Sequence, residues 1–194
     1  MKKITREDLM SLEQYSDTRD EFRQKIMAHK KNRVISVGPN MRFHFEDRLL
    51  MQYQVQEMLR IEKIFDADGI QEELDAYNPL IPDGSNFKAT FMIEYDDVEE
   101  RKVALAKLIG VEDKVWVRVD GFDKSYAIAD EDLERDTEEK TSSVHFMRFE
   151  LSPEMAAAAK QGASIGAGVD HSECQFSFDV LPDGIRDSLV ADLD

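Results

Sequence analysis

The spacing of apolar positions changes about eighty residues into the chain. In the first part it is helical. Thr5 with Asp8 approximates a capping box for one helix, and Thr18 with Glu21 is the proper form for a second, which presents Phe22, Ile26 and His29 at helical spacing. Val34–Val37 reads as a short strand closed by Gly38-Pro39. Residues 41–65 contain the longest helical segment, from about Asp47 onward, and a shorter helix follows over Asp68–Tyr77. Asn78-Pro79 and Pro82-Asp83-Gly84 then break the chain.

Beyond the break the period falls to two. Lys88–Tyr95 puts Ala89, Phe91, Ile93 and Tyr95 on one face, and Lys114–Val119 alternates through Val115, Val117 and Val119. Tyr126–Ala129 is placed to pair with that strand across Gly121-Phe122-Asp123. Val144–Leu151, Ala163–Val169 and Gln175–Val180 complete the strands. Helices open at Asp97, ending at Gly110, and at Ser152-Pro153-Glu154, ending at Gly162, and another closes the chain after Pro182-Asp183-Gly184. Asp130–Lys140 is a charged run expected as a solvated helix or loop. Strands and helices do not alternate as a doubly wound sheet requires. The pattern predicts an α+β fold, with an N-terminal helical half packed on a mostly antiparallel β-sheet with additional helices. The break is too short for a flexible linker, so one domain over 1–194 is expected, helical over about 1–80 and sheet-rich over about 85–194.

Composition narrows the function classes. Hydrophobic residues make up 42% and charged residues 34%, a globular balance for a chain long enough to bury its own core. The single cysteine, Cys174, excludes a disulfide framework, a zinc ribbon and an iron–sulfur cluster held by this chain's cysteines alone. The N-terminus is charged with no apolar run after it, and no stretch reaches the ~18 apolar residues of a membrane span, so a cytoplasmic protein is expected. The net charge of -16 argues against nucleic acid as a partner. The one basic cluster, His29-Lys30-Lys31-Asn32-Arg33, reads as the cationic end of a helix.

No phosphate-binding glycine loop, HExxH, CxxC or nucleophile elbow is present, and Ser-Ile-Gly-Ala-Gly (164–168) reads as small strand residues. The positive features are buried polar candidates. On the helix around Gln54, the residues Arg48, Gln52, Gln56 and Lys63 form a wet face. Leu50, Met51, Tyr53, Met58, Ile61, Ile64 and Phe65 form the apolar side, which also carries Glu46, Gln54 and Glu57. A buried carboxylate needs a partner. Glu57 is therefore expected either in a salt bridge with a core-facing arginine or as a metal ligand or general base. Glu46 and Glu57 lie about 16 Å apart along a helix, too far to share one ion. His145 shares its strand face with Met147, Phe149 and Leu151, and His171 with Ile165, Ala167 and Val169. Antiparallel neighbours would bring the two imidazoles together, and with a carboxylate they would form a non-haem iron set. Glu57, His145 and His171 are thus the candidate ligands for iron, manganese or zinc, beside Gln54 and a catalytic candidate, Arg148. Asp170-His171-Ser172-Glu173-Cys174 and His44-x-Glu46 are weaker local clusters.

Several motifs carry a resemblance over nearly the whole chain: Thr-Arg-Glu-Asp-Leu-Met near the start, Ala-His-Lys-Lys-Asn-Arg at 28–33 and Phe-Glu-Asp-Arg at 45–48. Gln-Glu-Met-Leu-Arg-Ile-Glu at 56–62, Glu-Leu-Asp-Ala-Tyr-Asn-Pro-Leu-Ile-Pro at 73–82 and His-Phe-Met-Arg-Phe-Glu-Leu at 145–151 extend it. Together they resemble a bacterial family, domain of unknown function 3501, which has no established activity. The resemblance implies a redox or peroxide-stress setting, because genes of that family lie beside those for rubrerythrin-like proteins and iron–sulfur oxidoreductases. Three readings follow: an accessory protein docking such a redox partner, a metal-dependent or acid–base enzyme, and a small-molecule-binding domain.

Overall fold

The alternating stretches of the sequence become two antiparallel sheets in the computed structural model, which describes residues 2–133, 135, 137 and 139–194. The first has the order β1 (Val34–Ser36), β2 (Met41–Glu46), β3 (Asn86–Ile93), β7 (Val144–Glu150), β6 (Ile128–Ala129). The second runs β5 (Ser125–Tyr126), β4 (Val115–Val119), β8 (Ile165–His171), β9 (Cys174–Phe178). The α+β fold expected from the sequence is the fold observed. Of the charged run at 130–140, Glu134, Asp136 and Glu138 lie outside the described residues.

The helices are α1 (Leu12–Lys30), α2 (Arg48–Glu62), α3 (Ala67–Tyr77), α4 (Val98–Lys107), α5 (Pro153–Lys160) and α6 (Asp183–Val190). Three expectations need correction. The Thr5–Asp8 capping box closes only a 3-10 turn, Arg6–Asp8, and Ser11 with Gln14 starts one 19-residue helix where two were expected, the longest of the chain. Thr18 sits inside that helix, its hydroxyl donating to the Gln14 carbonyl. Residues 41–46 form strand β2, so part of the N-terminal half belongs to the sheet; Asp47 caps α2 directly after it. Tyr126–Ala129 divides between sheets, Tyr126 pairing with Trp116 and Ile128 with Arg148.

Two cores result. Between the sheets, Phe43, Phe91 and Phe149 pack against Val115, Val117 and Val169, with α5 and α6 adding Met155 and Leu189. Ile26, Leu50, Leu59 and Leu74 of α1–α3 form the second. Arg33 joins them: its guanidinium donates to Asp192, after α6, at 2.5 and 2.9 Å, and lies 3.1 Å from the α2 cap Asp47. On β2, Met41, Phe43 and Phe45 enter the sandwich, which leaves Arg42, His44 and Glu46 on the sheet's other face.

Candidate functional site

A cavity of about 390 Å³ lies between that other face of the first sheet and the helices α2 and α3. Period-two geometry delivers its sheet side: His44 and Glu46 from β2, Thr90 and Met92 from β3, and Phe146 from β7. The register sets His44 opposite Thr90, and Thr90 opposite Phe146. Leu50, Met51 and Gln54 come from α2 and Tyr77 from the end of α3, while Lys30 and Arg33 close it from the end of α1.

The polar groups here are under-partnered. Glu46 receives one hydrogen bond, from the Thr90 hydroxyl at 2.7 Å. Burial outweighs that bond and raises its pKa to about 7, so the carboxyl is protonated below neutrality and titrates through it. Burial also lowers the pKa of His44, keeping the ring neutral, and its Nε2 is buried with no hydrogen-bond partner. Arg33 uses its two terminal nitrogens on Asp192, Asp47 and the Ser188 carbonyl, yet its Nε is buried with no acceptor. A buried donor left unmade costs about 1–3 kcal/mol, so such groups mark strain or a place for a ligand. The protonated Glu46 carboxyl, the Arg33 Nε–H and the Lys30 ammonium are all donors.

The structure disperses the other candidates. Glu57 accepts from the Tyr15 hydroxyl at 2.6 Å, from Arg19 through two nitrogens at 2.7 and 2.9 Å, and from Arg60 at 3.1 Å. The Arg19 bonds, foremost, lower its pKa to about 2. Of the two alternatives, the geometry realises the salt bridge, and it leaves Glu57 neither proton nor free lone pair for base or metal chemistry. His145 is fully buried, Nδ1 2.6 Å from Asp130 and Nε2 2.9 Å from the Thr141 hydroxyl. His171 stands in the other sheet, Nε2 3.1 Å from the Ile109 carbonyl and Nδ1 accepting from Glu173 N. Because β7 and β8 are not neighbours, the two imidazoles do not meet along a strand pair, and they share no partner with Glu57. Among the described residues no group of three or more His, Cys, Asp or Glu could hold a metal ion. Arg148 binds Glu131 through two nitrogens and also contacts Glu150, a surface network. Cys174 meets His171 only as its register partner at the β8–β9 turn.

The face assigned to α2 also changes. Gln56, expected on the wet side, is fully buried, because the N-terminal segment crosses that side: Gln56 accepts from Met10 N and donates to Met10 O. Ile61 and Phe65, expected inside, are 59% and 70% exposed. Gln54 is exposed where it lines the cavity. Sequence reasoning missed Lys30, Arg33 and Thr90; the signal for His44 and Glu46 together was the Met-Arg-Phe-His-Phe-Glu alternation at 41–46. The glycines of 164–168 are explained by packing: a Cβ on Gly168 would stand 2.6 Å from the Trp116 ring and 2.5 Å from the Phe176 carbonyl.

Fold and site together define an α+β protein with two antiparallel sheets, a helical layer and a cavity of mixed polar and apolar lining between layer and sheet. The chain belongs to the family described as protein of unknown function (DUF3501), whose model matches residues 3–193. It is similar to a novel protein of unknown function from Burkholderia pseudomallei K96243, known from a crystal structure, at 51% identity with 100% of each chain covered and a TM-score of 0.94. No curated protein matches the chain. Among the described residues no helix is long and apolar enough to cross a membrane.

Proposed function

We propose that this protein binds a small organic anion, a carboxylate head on an apolar body, in the cavity bounded by Lys30, Arg33, His44 and Glu46. The observation that carries the reading is a set of donors lining one cavity: Arg33, whose Nε–H has no acceptor, Lys30, and a Glu46 carboxyl that keeps its proton below a pH of about 7. An oxyanion supplies the missing acceptors, and Leu50, Met51, Met92 and Phe146 supply an apolar wall for the remainder of the molecule. The volume suits a small ligand. Glu46 would also be placed to exchange a proton with whatever occupies the site, the pKa of a general acid–base group at neutral pH. This favours the small-molecule-binding reading over the metal-enzyme reading, whose Glu57, His145 and His171 are each held by other partners.

Isothermal titration with benzoate and short branched carboxylates, against the matching amines, tests it. Carboxylates should bind with an affinity that falls as pH rises through about 7, where Glu46 loses the donor proton. Glu46→Gln, which keeps a donor at every pH, should bind with that pH dependence removed. Amines binding as tightly as carboxylates, or an unchanged pH profile in Glu46→Gln, would sink the reading.

A further inference from the structure

A second hollow, of about 700 Å³, lies between α4, the β1–β2 turn and β9, the outermost strand of its sheet. We infer that this groove docks a basic, amphipathic segment of a partner protein. The inference stands on its own observations and does not depend on the cavity around Glu46.

Its floor is apolar, formed by Val37, Met41, Val103, Leu108 and Phe176. Val103 is 57% and Phe176 40% exposed, and the apolar surface continues along the chain through Phe178 and Val180, at 40% and 61%. Large side chains exposed next to one another are an interaction signal, whereas the same residues scattered singly are not. The backbone is shaped around the floor: Gly38 has φ +73, and a Cβ there would stand 2.6 Å from the Phe176 ring. α4 buries only Leu105 along its length, so one wall of the groove is lightly held and can adjust to an occupant.

The rim decides which occupant fits. Asp97, Glu99, Glu100 and Glu173 line it against a single cation, Lys107. Asp97 caps α4 and Glu99 pairs with Lys102. Glu100 and Glu173 carry no ion pair among the described residues. A second copy of this chain is a poor occupant: it brings the same acidic rim and a net charge of -16. Within the one basic run, His29 pairs with Asp47 and Arg33 with Asp192, so a second copy offers few free cations to set against its own acids. Anionic lipid and nucleic acid are repelled by the same carboxylates. A segment with lysines or arginines flanking two or three apolar side chains satisfies both floor and rim, the helix-in-groove mode of recognition.

Cys174 lines the groove and is the chain's only cysteine, so it reports on occupancy without any engineering. The probe is a synthetic amphipathic peptide of about 18 residues built from Leu and Lys, with a Leu/Glu peptide as its control. The Leu/Lys peptide should slow maleimide labelling of Cys174, and the Leu/Glu peptide should leave the rate unchanged. By fluorescence anisotropy, Val103→Asp and the pair Glu100→Lys/Glu173→Lys should each weaken the Leu/Lys peptide about tenfold or more. All three substitutions are at positions open to solvent or half-buried, and each variant is compared with its own peptide-free labelling rate. The charge-reversed pair should in turn gain affinity for the Leu/Glu peptide. Absent protection of Cys174, or equal affinity of the Leu/Lys peptide for wild type and both variants, would overturn the inference, the latter showing only general attraction to an acidic protein.

Discussion

Glu46 and Glu57 are separated by eleven residues, both drew attention as acids on the apolar side of one helix, and the structure gives them opposite fates. Glu57 is surrounded by donors, Tyr15, Arg19 and Arg60, and is held ionised with its pKa near 2. Glu46 meets one hydroxyl, and burial carries its pKa to about 7. Desolvation raises both; it dominates at Glu46, whereas at Glu57 the charged donors within hydrogen-bond reach outweigh it. A carboxylate with its donors supplied is structural, while one left short of donors beside an open cavity can serve chemistry.

The contrast can be broken or sharpened experimentally. The largest effect is expected at the network that joins the two cores. Asp192→Ala leaves the Arg33 guanidinium buried with only Asp47 as its carboxylate partner and should cost about 3–5 kcal/mol by chemical denaturation. A cost below about 1 kcal/mol would mean that the helical layer is held by apolar contacts alone.

Glu57→Gln should cost about 2 kcal/mol near pH 7 after allowing for solvent screening at a partly open pair. The sign follows from a pKa lowered from 4.5 to about 2. Stability from this group is fully present above about 4.5 and is lost as pH falls toward 2. The variant should show no such loss in that window.

Glu46→Gln should act in the opposite direction. Its folded pKa, about 7, lies above the ordinary 4.5, so its contribution is fully present below 4.5 and is lost as pH rises through 7. The wild type should lose as much as about 3 kcal/mol across that window, and the variant should not, becoming the more stable of the two at pH 8. Smallest of all is Arg148→Ala, which removes surface pairs to Glu131 and Glu150 and should cost less than about 1 kcal/mol. It should leave carboxylate binding unchanged.

Local patterning revealed the strands β3, β4, β7 and β8, the helix starts near Asp47 and at Asp97, and the α+β class, because each is written within a few adjacent residues. The errors share a cause in distant parts of the chain. α2 looked amphipathic in isolation, but residues near Asp8 and Met10 cover the side that should be wet, through Gln52 and Gln56. Tyr126–Ala129 looked like one strand, but its halves are claimed by different sheets. His145 and His171 were correctly placed on buried strand faces, yet whether two buried faces meet depends on strand order, which periodicity does not encode. The candidate site was half legible: Glu46 and Gln54 stood out as polar residues beside apolar ones. Arg33 and Lys30 did not, because a basic run at the end of a helix already has a sufficient explanation in the helix dipole.

The most direct test is a titration of the glutamate side-chain carboxyl carbons by NMR, with Glu46 and Glu57 assigned through their Gln variants. Glu46 should titrate near pH 7 and Glu57 near pH 2, with benzoate moving the Glu46 midpoint upward as the bound anion favours the protonated carboxyl. A Glu46 midpoint at the ordinary 4.5, unmoved by any carboxylate, would contradict the cavity as a site of proton-linked anion binding.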